Sequence, residues 1–317
     1  MRYEKYQSMG DKSSKGKNTT NSIFILYGLG LGTNRDAWCY NFSRKECLKN
    51  IYQFVGEYNT QLETGNKSYD ESKISWSSSL ESLYKQGKDI DFSESNLYVG
   101  IYRPFSKCHV YFSKGVNHRV NQLPKMFPYA GAENLAIGTT GRGSTKGFST
   151  LIVDMLPDLE LVSKAQWFSY YTYEKNESED LFSSLDDGYN GYKRRENITD
   201  ATLAAYREFY RDQAITKWDI FYYIYALLHH PEYRAKYASN LAKELPRVPK
   251  AQGFRKYMDI GRELADLHLN YESVDPYPLI EKSSQSEPEM INDLYGYYAV
   301  ETMKYQPKKD SSKLIYN

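Results

Sequence analysis

The chain has 317 residues and a mass of 36.9 kDa, with 40% apolar and 26% charged residues, enough to bury one large core or two ordinary ones, which excludes a disordered or fibrous protein. No apolar run approaches the roughly 18 residues that a membrane-spanning helix requires, and residues 1–21 are rich in Lys, Ser and Asn with no apolar signal core, so a cytosolic location is expected. The net charge of +1 conceals a segregation: between residues 97 and 147 seven bases (Arg103, Lys107, Lys114, Arg119, Lys125, Arg142, Lys146) face Glu133 alone, whereas residues 154–188 carry nine acids against Lys164 and Lys175. Opposed charge blocks in one chain are consistent with a face that meets a polyanion and another that is merely solvated.

Residues 1–22 read as a flexible basic lead, since five bases against two acids and no apolar period leave little to bury. Residues 23–27 form a short apolar run that ends in Gly28, Gly30 and Gly32, a strand-and-turn signal. A helix is predicted over 43–58, with Leu48, Ile51, Tyr52 and Val55 on one face, followed by a polar linker over 59–79 and a short helix over 80–86. Leu97, Val99 and Ile101 alternate at period two, a half-buried strand that Pro104 must end or confine to an edge. Further strands are predicted over 108–112, 134–139, 150–153 and 168–173, joined by Gly/Ser/Lys loops.

Beyond the acidic block the period becomes helical. Leu203, Tyr206 and Tyr210 mark a helix over 199–212, and Thr216 with Asp219 matches the capping pattern that opens the next, whose apolar face is Ile220, Ile224, Leu227 and Leu228. Pro231 suits the first turn of a third helix, with Tyr233, Tyr237 and Leu241 buried, before Pro246 and Pro249 stop it. A fourth helix is predicted over 253–267, and two strand-like pieces over 297–303 and 314–316. The expected class is therefore mixed α/β (α+β): a β-rich basic half with a loop-rich mixed sheet, then a helical half.

Few motifs carry chemistry. Cys39, Cys47 and Cys108 are too few and too irregular for a disulfide frame or a zinc site, so no metal is expected. The turn from Gly28 to Gly32 lacks the third glycine of a dinucleotide fingerprint, Thr33 standing there, and is read as a strand-to-loop turn. The loop from Thr140 to Lys146 has the composition of a phosphate loop without its order, and is kept as a mobile cationic loop. Residues 275–278, Asp-Pro-Tyr-Pro, miss the second proline of an amino-methyltransferase loop and are read as a Pro-rich connector. His268, on the apolar face of the fourth helix, reads as a core histidine.

One constellation remains, from Tyr102-Arg103-Pro104-Phe105 through Lys107 to Asn117-His118-Arg119 and Gln122. Arg and Lys neutralise phosphates, and Arg, Asn and Gln are the side chains that read base edges bidentately. Arg103, Lys107, Asn117, His118, Arg119, Gln122, Arg142 and Lys146 are thus the candidate contacts to double-stranded DNA, with the aromatics of the same stretch mainly structural.

Several long, ordered motifs carry a family resemblance over about residues 23–317. Thr33-Asn34-Arg35-Asp36-Ala37-Trp38 with Tyr40-Asn41-Phe42, Tyr102-Arg103-Pro104-Phe105, Lys125-Met126-Phe127-Pro128, Ile215-Thr216-Lys217-Trp218-Asp219-Ile220 running on to Leu228-His229-His230-Pro231, and Gly261-Arg262-Glu263-Leu264-Ala265-Asp266-Leu267-His268 resemble the C-terminal specificity region of type ISP restriction-modification enzymes. The resemblance implies a target-recognition role that directs adenine methylation, translocation and cleavage carried out by other domains. It implies that residues 23–95 are a junction following a methyltransferase domain, with Asn34, Arg35 and Asp36 as a hinge, and that 96–317 are the recognition region: β-rich over 96–175, helical over 198–270, strands over 295–317. No helicase loop, nuclease carboxylate set or methyltransferase tetrapeptide is visible, so this chain is expected to bind rather than catalyse and to need no cofactor. Family members look to continue past Asn317, which leaves a fragment, a split subunit or a remnant as readings. The rivals are an adenine methyltransferase with its own S-adenosylmethionine site at the Gly28 to Gly32 turn, and a structural subunit assembled with separate methyltransferase and helicase/nuclease chains.

Overall fold

The computed structural model describes residues 3–176, 190–276, 278, 280, 303–305 and 314–316, so the last part of the acidic block (177–188) and most of the strand predicted over 297–303 lie outside the described residues. The chain divides into two units, Met1–Val274 and Asp275–Asn317. In chain order the first half contains β1 (Gln7–Ser8), β2 (Gly28–Leu29), α1 (Asp36–Cys39), β3 (Tyr40–Asn41), α2 (Arg44–Thr64), α3 (Ser78–Lys85), β4 (Leu97–Arg103), β5 (Ser106–Tyr111), β6 (Ala136–Thr139), β7 (Thr150–Val153), β8 (Leu156–Pro157), β9 (Gln166–Ser169), β10 (Tyr171–Lys175) and β11 (Tyr192–Glu196). The helical part follows with α4 (Asp200–Tyr210), α5 (Lys217–His229), α6 (Pro231–Lys236), α7 (Ala238–Leu241), β12 (Arg247–Val248) and α8 (Phe254–Leu269). In the second unit β13 (Met303–Tyr305) pairs antiparallel with β14 (Leu314–Tyr316). Among the described residues no helix is long and apolar enough to cross a membrane.

Two four-stranded sheets carry the first unit, ordered β3-β5-β4-β8 and β2-β9-β6-β7. All pairs are antiparallel except β4 with β8. Period-two alternation then explains why β6, β7 and β9 are nearly all buried. Ala136, Leu151, Val153 and Trp167 face the other sheet, packing with Tyr98, Ile101, Val110 and Leu156. Their neighbours Ile137, Ile152 and Phe168 face the opposite way, onto Ile220, Phe221, Ile224 and Tyr225 of α5. With a sheet on one side and α8 on another, α5 is buried from Asp219 to Leu228 except at Tyr222. Its start is a full capping box: Thr216 Oγ1 accepts from the Asp219 N–H and the Asp219 carboxylate accepts from the Thr216 N–H.

The third core cluster joins α2 (Ile51, Phe54, Val55, Tyr58) and Leu80 of α3 to Tyr111 and Val116. Residues 23–95 therefore share a core with β5 and the turn after it, and β3 pairs with β5. The helix predicted over 43–58 is longer, ending at Gly65 with φ 69°, and the linker packs through Ile74 at 0% exposure.

The basic lead is corrected outright. Met9 is fully buried, β1 pairs with β12, and Tyr3 stacks 4.7 Å from Tyr237 while its hydroxyl accepts from the Arg247 N–H. Its partners lie over 200 residues away in sequence, so no local period could announce them.

Candidate nucleic-acid interface

The segment from Tyr27 to Thr33, which holds β2 and isolated bridges at Leu31 and Gly32, is flanked on one side by residues 118–122. Gly32 and Arg119 exchange backbone hydrogen bonds (Gly32 N–H to Arg119 carbonyl 3.0 Å, Arg119 N–H to Gly32 carbonyl 2.8 Å), the His118 N–H reaches the Thr33 carbonyl, and Asn121 Nδ2 donates to the Gly30 carbonyl at 2.8 Å. On the other side the segment meets Pro157, Asp158 and Ala165 through the bonds Leu31 N–H to Pro157 carbonyl and Gly30 N–H to Ala165 carbonyl. The glycines exist for these approaches. A Cβ on Gly30 would lie 2.5 Å from the Asp158 carbonyl oxygen, and one on Gly28 would lie 2.8 Å from Cβ of Gln122. Protein atoms thus occupy the close approach to these glycines that a bound cofactor would need, which removes the physical basis of the S-adenosylmethionine reading at this turn.

The sequence-predicted contacts divide into three groups. Arg119, Arg142 and Lys146 are exposed and have no carboxylate partner among the described residues, and Gln122 is half-exposed beside Gly28. Arg142 and Lys146 sit on the loop between β6 and β7, whose base is fixed to the next turn by Gly141 N–H to Ser163 carbonyl at 3.0 Å and by the Ser144 and Ser163 hydroxyls at 2.8 Å. That loop is anchored at its base, not free along its length. His118 is half-buried and bonded to Ser79 Oγ at 3.0 Å; burial first, then the charges of Arg119 and Arg35, hold its pKa below the ordinary histidine value. Near neutral pH it is thus a hydrogen-bonding group more than a cation.

The second group is cationic but already engaged. Arg103 stacks with its Cζ 3.8 Å from the Tyr102 ring centroid and donates from Nη1 to Asp158 Oδ1 at 2.8 Å and to the Tyr102 carbonyl at 2.6 Å, with Asp36 3.8 Å from Nη2. Lys107 pairs with Glu272 at 2.9 Å. The third group is a correction. Asn117 is 2% exposed, with Oδ1 accepting from the Ser113 N–H and Nδ2 donating to the Tyr111 carbonyl, so it braces a turn and cannot reach a base. Arg35 is likewise buried, donating to the carbonyls of Ser75 and Val116 and to Ser77 Oγ. Asp36 accepts from the hydroxyls of Thr33 and Tyr102, while Asn34 is exposed with φ 54° at the turn tip.

Asp158 ties the site together, accepting from Arg103, from the Tyr40 hydroxyl at 3.0 Å and from the Glu160 N–H at 2.8 Å. Burial nevertheless pushes its carboxyl up from 3.8 to about 6, against the pull of those donors and of the Arg103 charge. A folded pKa above the unfolded one means that this group favours folding fully below about pH 4, and that the contribution is lost as pH rises through about 6. Asp158→Asn is expected to remove that fall, so urea midpoints of variant and parent, compared at pH values either side of this window, should diverge as pH rises. A constant difference across the window would refute it.

Comparison with known proteins follows the same lines. A search of curated proteins gave no match. Among solved structures the chain is similar to a cryo-EM DrdV–DNA complex (34% identity, TM-score 0.77, covering 90% of this chain and 28% of that one). It is similar to the ATP-dependent type ISP restriction-modification enzyme LlaBIII bound to DNA (31% identity, TM-score 0.81, 100% and 19%). A nuclease-deletion mutant of the type ISP enzyme LlaGI with a DNA substrate mimic matches at 30% identity and TM-score 0.77, covering 99% and 27%. The chain therefore spans only 19% to 28% of the length of these solved proteins. The family model for the type ISP C-terminal specificity domain matches residues 22–317, and the chain belongs to that family.

Proposed function

We propose that this chain is the DNA target-recognition module of a type ISP restriction-modification system, directing adenine methylation and translocation or cleavage performed by other domains, on the same or separate chains, without a reaction or cofactor of its own. The observation that carries the reading is the segment at 27–33, where Arg119 and Gln122 are held on a neighbouring stretch of backbone hydrogen-bonded to it, and the anchored loop of Arg142 and Lys146 supplies positive charge that no carboxylate among the described residues pairs. Arg and Gln are base-edge readers, whereas exposed Arg and Lys on loops neutralise phosphates and set register. The solved relatives named above are DNA complexes, which supports the same partner. Arg103 and Lys107 contribute less than their charge suggests, because a carboxylate already holds each.

The test is a fluorescence-anisotropy titration of the intact protein against a duplex library, with the preferred duplexes recovered and compared with random ones. Arg119→Ala and Gln122→Ala are expected to reduce discrimination by about 1 to 3 kcal/mol each. Arg142→Ala and Lys146→Ala should weaken all duplexes alike and make the salt slope shallower by about 0.9 per lost phosphate contact. Equal affinity of the parent for every duplex would overturn the reading.

A further inference from the structure

A line of hydrogen bonds runs outward from buried Arg35 to His118, and its direction is fixed at the buried end. Arg35, a donor only, gives Nη2 to Ser77 Oγ at 2.6 Å, and the Leu80 N–H that Ser77 caps reaches the same oxygen at 3.4 Å. A hydroxyl accepts two hydrogen bonds and donates one. Ser77 has thus filled both acceptor positions, so in its contact with Ser79 Oγ at 3.0 Å it is the donor. Ser79 Oγ, having accepted that proton, gives its own to His118 Nδ1, also at 3.0 Å. The reverse order, with a protonated Nδ1 donating to Ser79, would leave the Ser79 proton without an acceptor among the described residues.

The imidazole is consequently held in one tautomer, with Nδ1 bare and the proton on Nε2. An imidazolium would need a proton on Nδ1 and would turn the Ser79 bond round. Burial, Arg119 on the same segment and Arg35 at the far end of the line all act against that charge. The ring is half-exposed, and Nε2 has no partner among the described residues yet is not one of the buried unpartnered atoms, so its N–H opens to solvent. The backbone below it is fixed as well, His118 N–H donating to the Thr33 carbonyl at 3.3 Å and Arg119 exchanging bonds with Gly32. A donor of set position therefore stands next to Arg119 and on the same short segment as Gln122.

We infer that His118 is a specificity-determining residue, which offers its Nε2–H as a single donor to an acceptor on a base edge in the major groove and rejects cytosine at that place. The inference rests on the DNA reading proposed above and names one reader within it. Guanine presents N7 and O6 there, adenine N7 and thymine O4, all of them acceptors, whereas cytosine presents only its N4 amino donor. Two donors set against each other leave both unpaired, and that is the source of the discrimination. Ser79 and Arg35 are positioning residues: they hold the tautomer without touching DNA. A phosphate oxygen is also an acceptor, but a phosphate favours the imidazolium, which the bond order and the two arginine charges oppose.

Two measurements on the intact chain decide the matter. In protein labelled with nitrogen-15 histidine, a long-range proton–nitrogen spectrum, assigned by the signal that His118→Ala removes, should place the His118 proton on Nε2 near neutral pH. In Ser79→Ala the two ring nitrogens should share it; a proton on Nδ1 in the parent overturns the inference before any DNA is added. Anisotropy titrations of His118→Ala against the preferred duplex and its single-pair variants should then show discrimination at one base pair reduced about tenfold, with the salt slope and the affinity for random duplexes as in the parent. Ser79→Ala should lose about twofold at the same pair, as expected when half the molecules hold the wrong tautomer. The parental preference at that pair should be flat between about pH 7 and 8. A loss shared by all duplexes, a parental affinity that tightens through His118 as pH falls across that range, or unchanged discrimination overturns the base contact and leaves the DNA reading intact. Equal affinity of the parent for every duplex overturns the reading itself, and the base contact with it.

Discussion

Arg35→Ala is expected to lower stability by about 3 to 5 kcal/mol. The side chain is 4% exposed, its guanidinium lies 5.0 Å from the Phe54 ring, and it donates to the carbonyls of Ser75 (3.0 Å) and Val116 and to Ser77 Oγ (2.6 Å). Ser77 is also the N-cap of α3, so one residue ties that helix start to the turn that follows Tyr111. Removal leaves several buried acceptors without donors and a cavity against Phe54, and both penalties act in the same direction. Arg35→Lys should recover little, because a single ammonium cannot reproduce a planar fork reaching three separate oxygens. Urea denaturation reads the loss. DNA binding measured on the folded fraction should be near that of the parent; a variant that keeps its stability and loses binding would show instead that Arg35 touches DNA.

Gly261→Ala should destabilise by about 3 kcal/mol or more, although alanine in a helix interior is intrinsically favoured over glycine by about 1 kcal/mol. Contact decides the sign. An added Cβ on α8 would lie 2.0 Å from the Tyr222 carbonyl oxygen and 3.3 Å from Ala226 Cβ, so the obstacle is the backbone of α5 and no rotamer change relieves it. The helices would have to move apart, loosening the core that α5 shares with Phe24, Ile137 and Phe168. Gly56, within α2, is the internal control: nothing lies within 4 Å of its Cβ position, so Gly56→Ala should show the propensity alone and raise stability by up to about 1 kcal/mol. Thermal unfolding of the two variants beside the parent checks both signs; equal effects would refute the packing account.

These expectations also separate what local sequence decides from what it leaves open. The helices were legible because their signals are local. The Thr216 and Asp219 capping pair, the Tyr206 and Tyr210 spacing and Pro231 at a first turn act within a few residues, and each element begins where they indicate. Some strand positions were legible too, at β4, β5, β6 and β7, but the strand predicted over 168–173 is two, β9 and β10, and β11 lay outside every predicted strand. Strand partners were not legible: the parallel pairing of β4 with β8 and the antiparallel set around β6 depend on chain closure over dozens of residues. The same holds for the site. Counting cations marked residues 97–147 as basic, but it could not show that Arg103 meets Asp158, 55 positions on, or that Lys107 meets Glu272, 165 positions on.

Sequence alone thus determined the family, the α+β class and the segment bearing the charge, because composition, period and motif order survive without knowledge of neighbours. Only the tertiary structure decided which of those side chains are available to a partner. It buried Asn117 and Arg35, engaged Arg103 and Lys107, left Arg119, Arg142 and Lys146 exposed, and brought Lys15 to Tyr27 from a segment that looked loose. The reason is physical: a charge's availability depends on desolvation and on the nearest opposite charge, and both are set by residues far away in the chain.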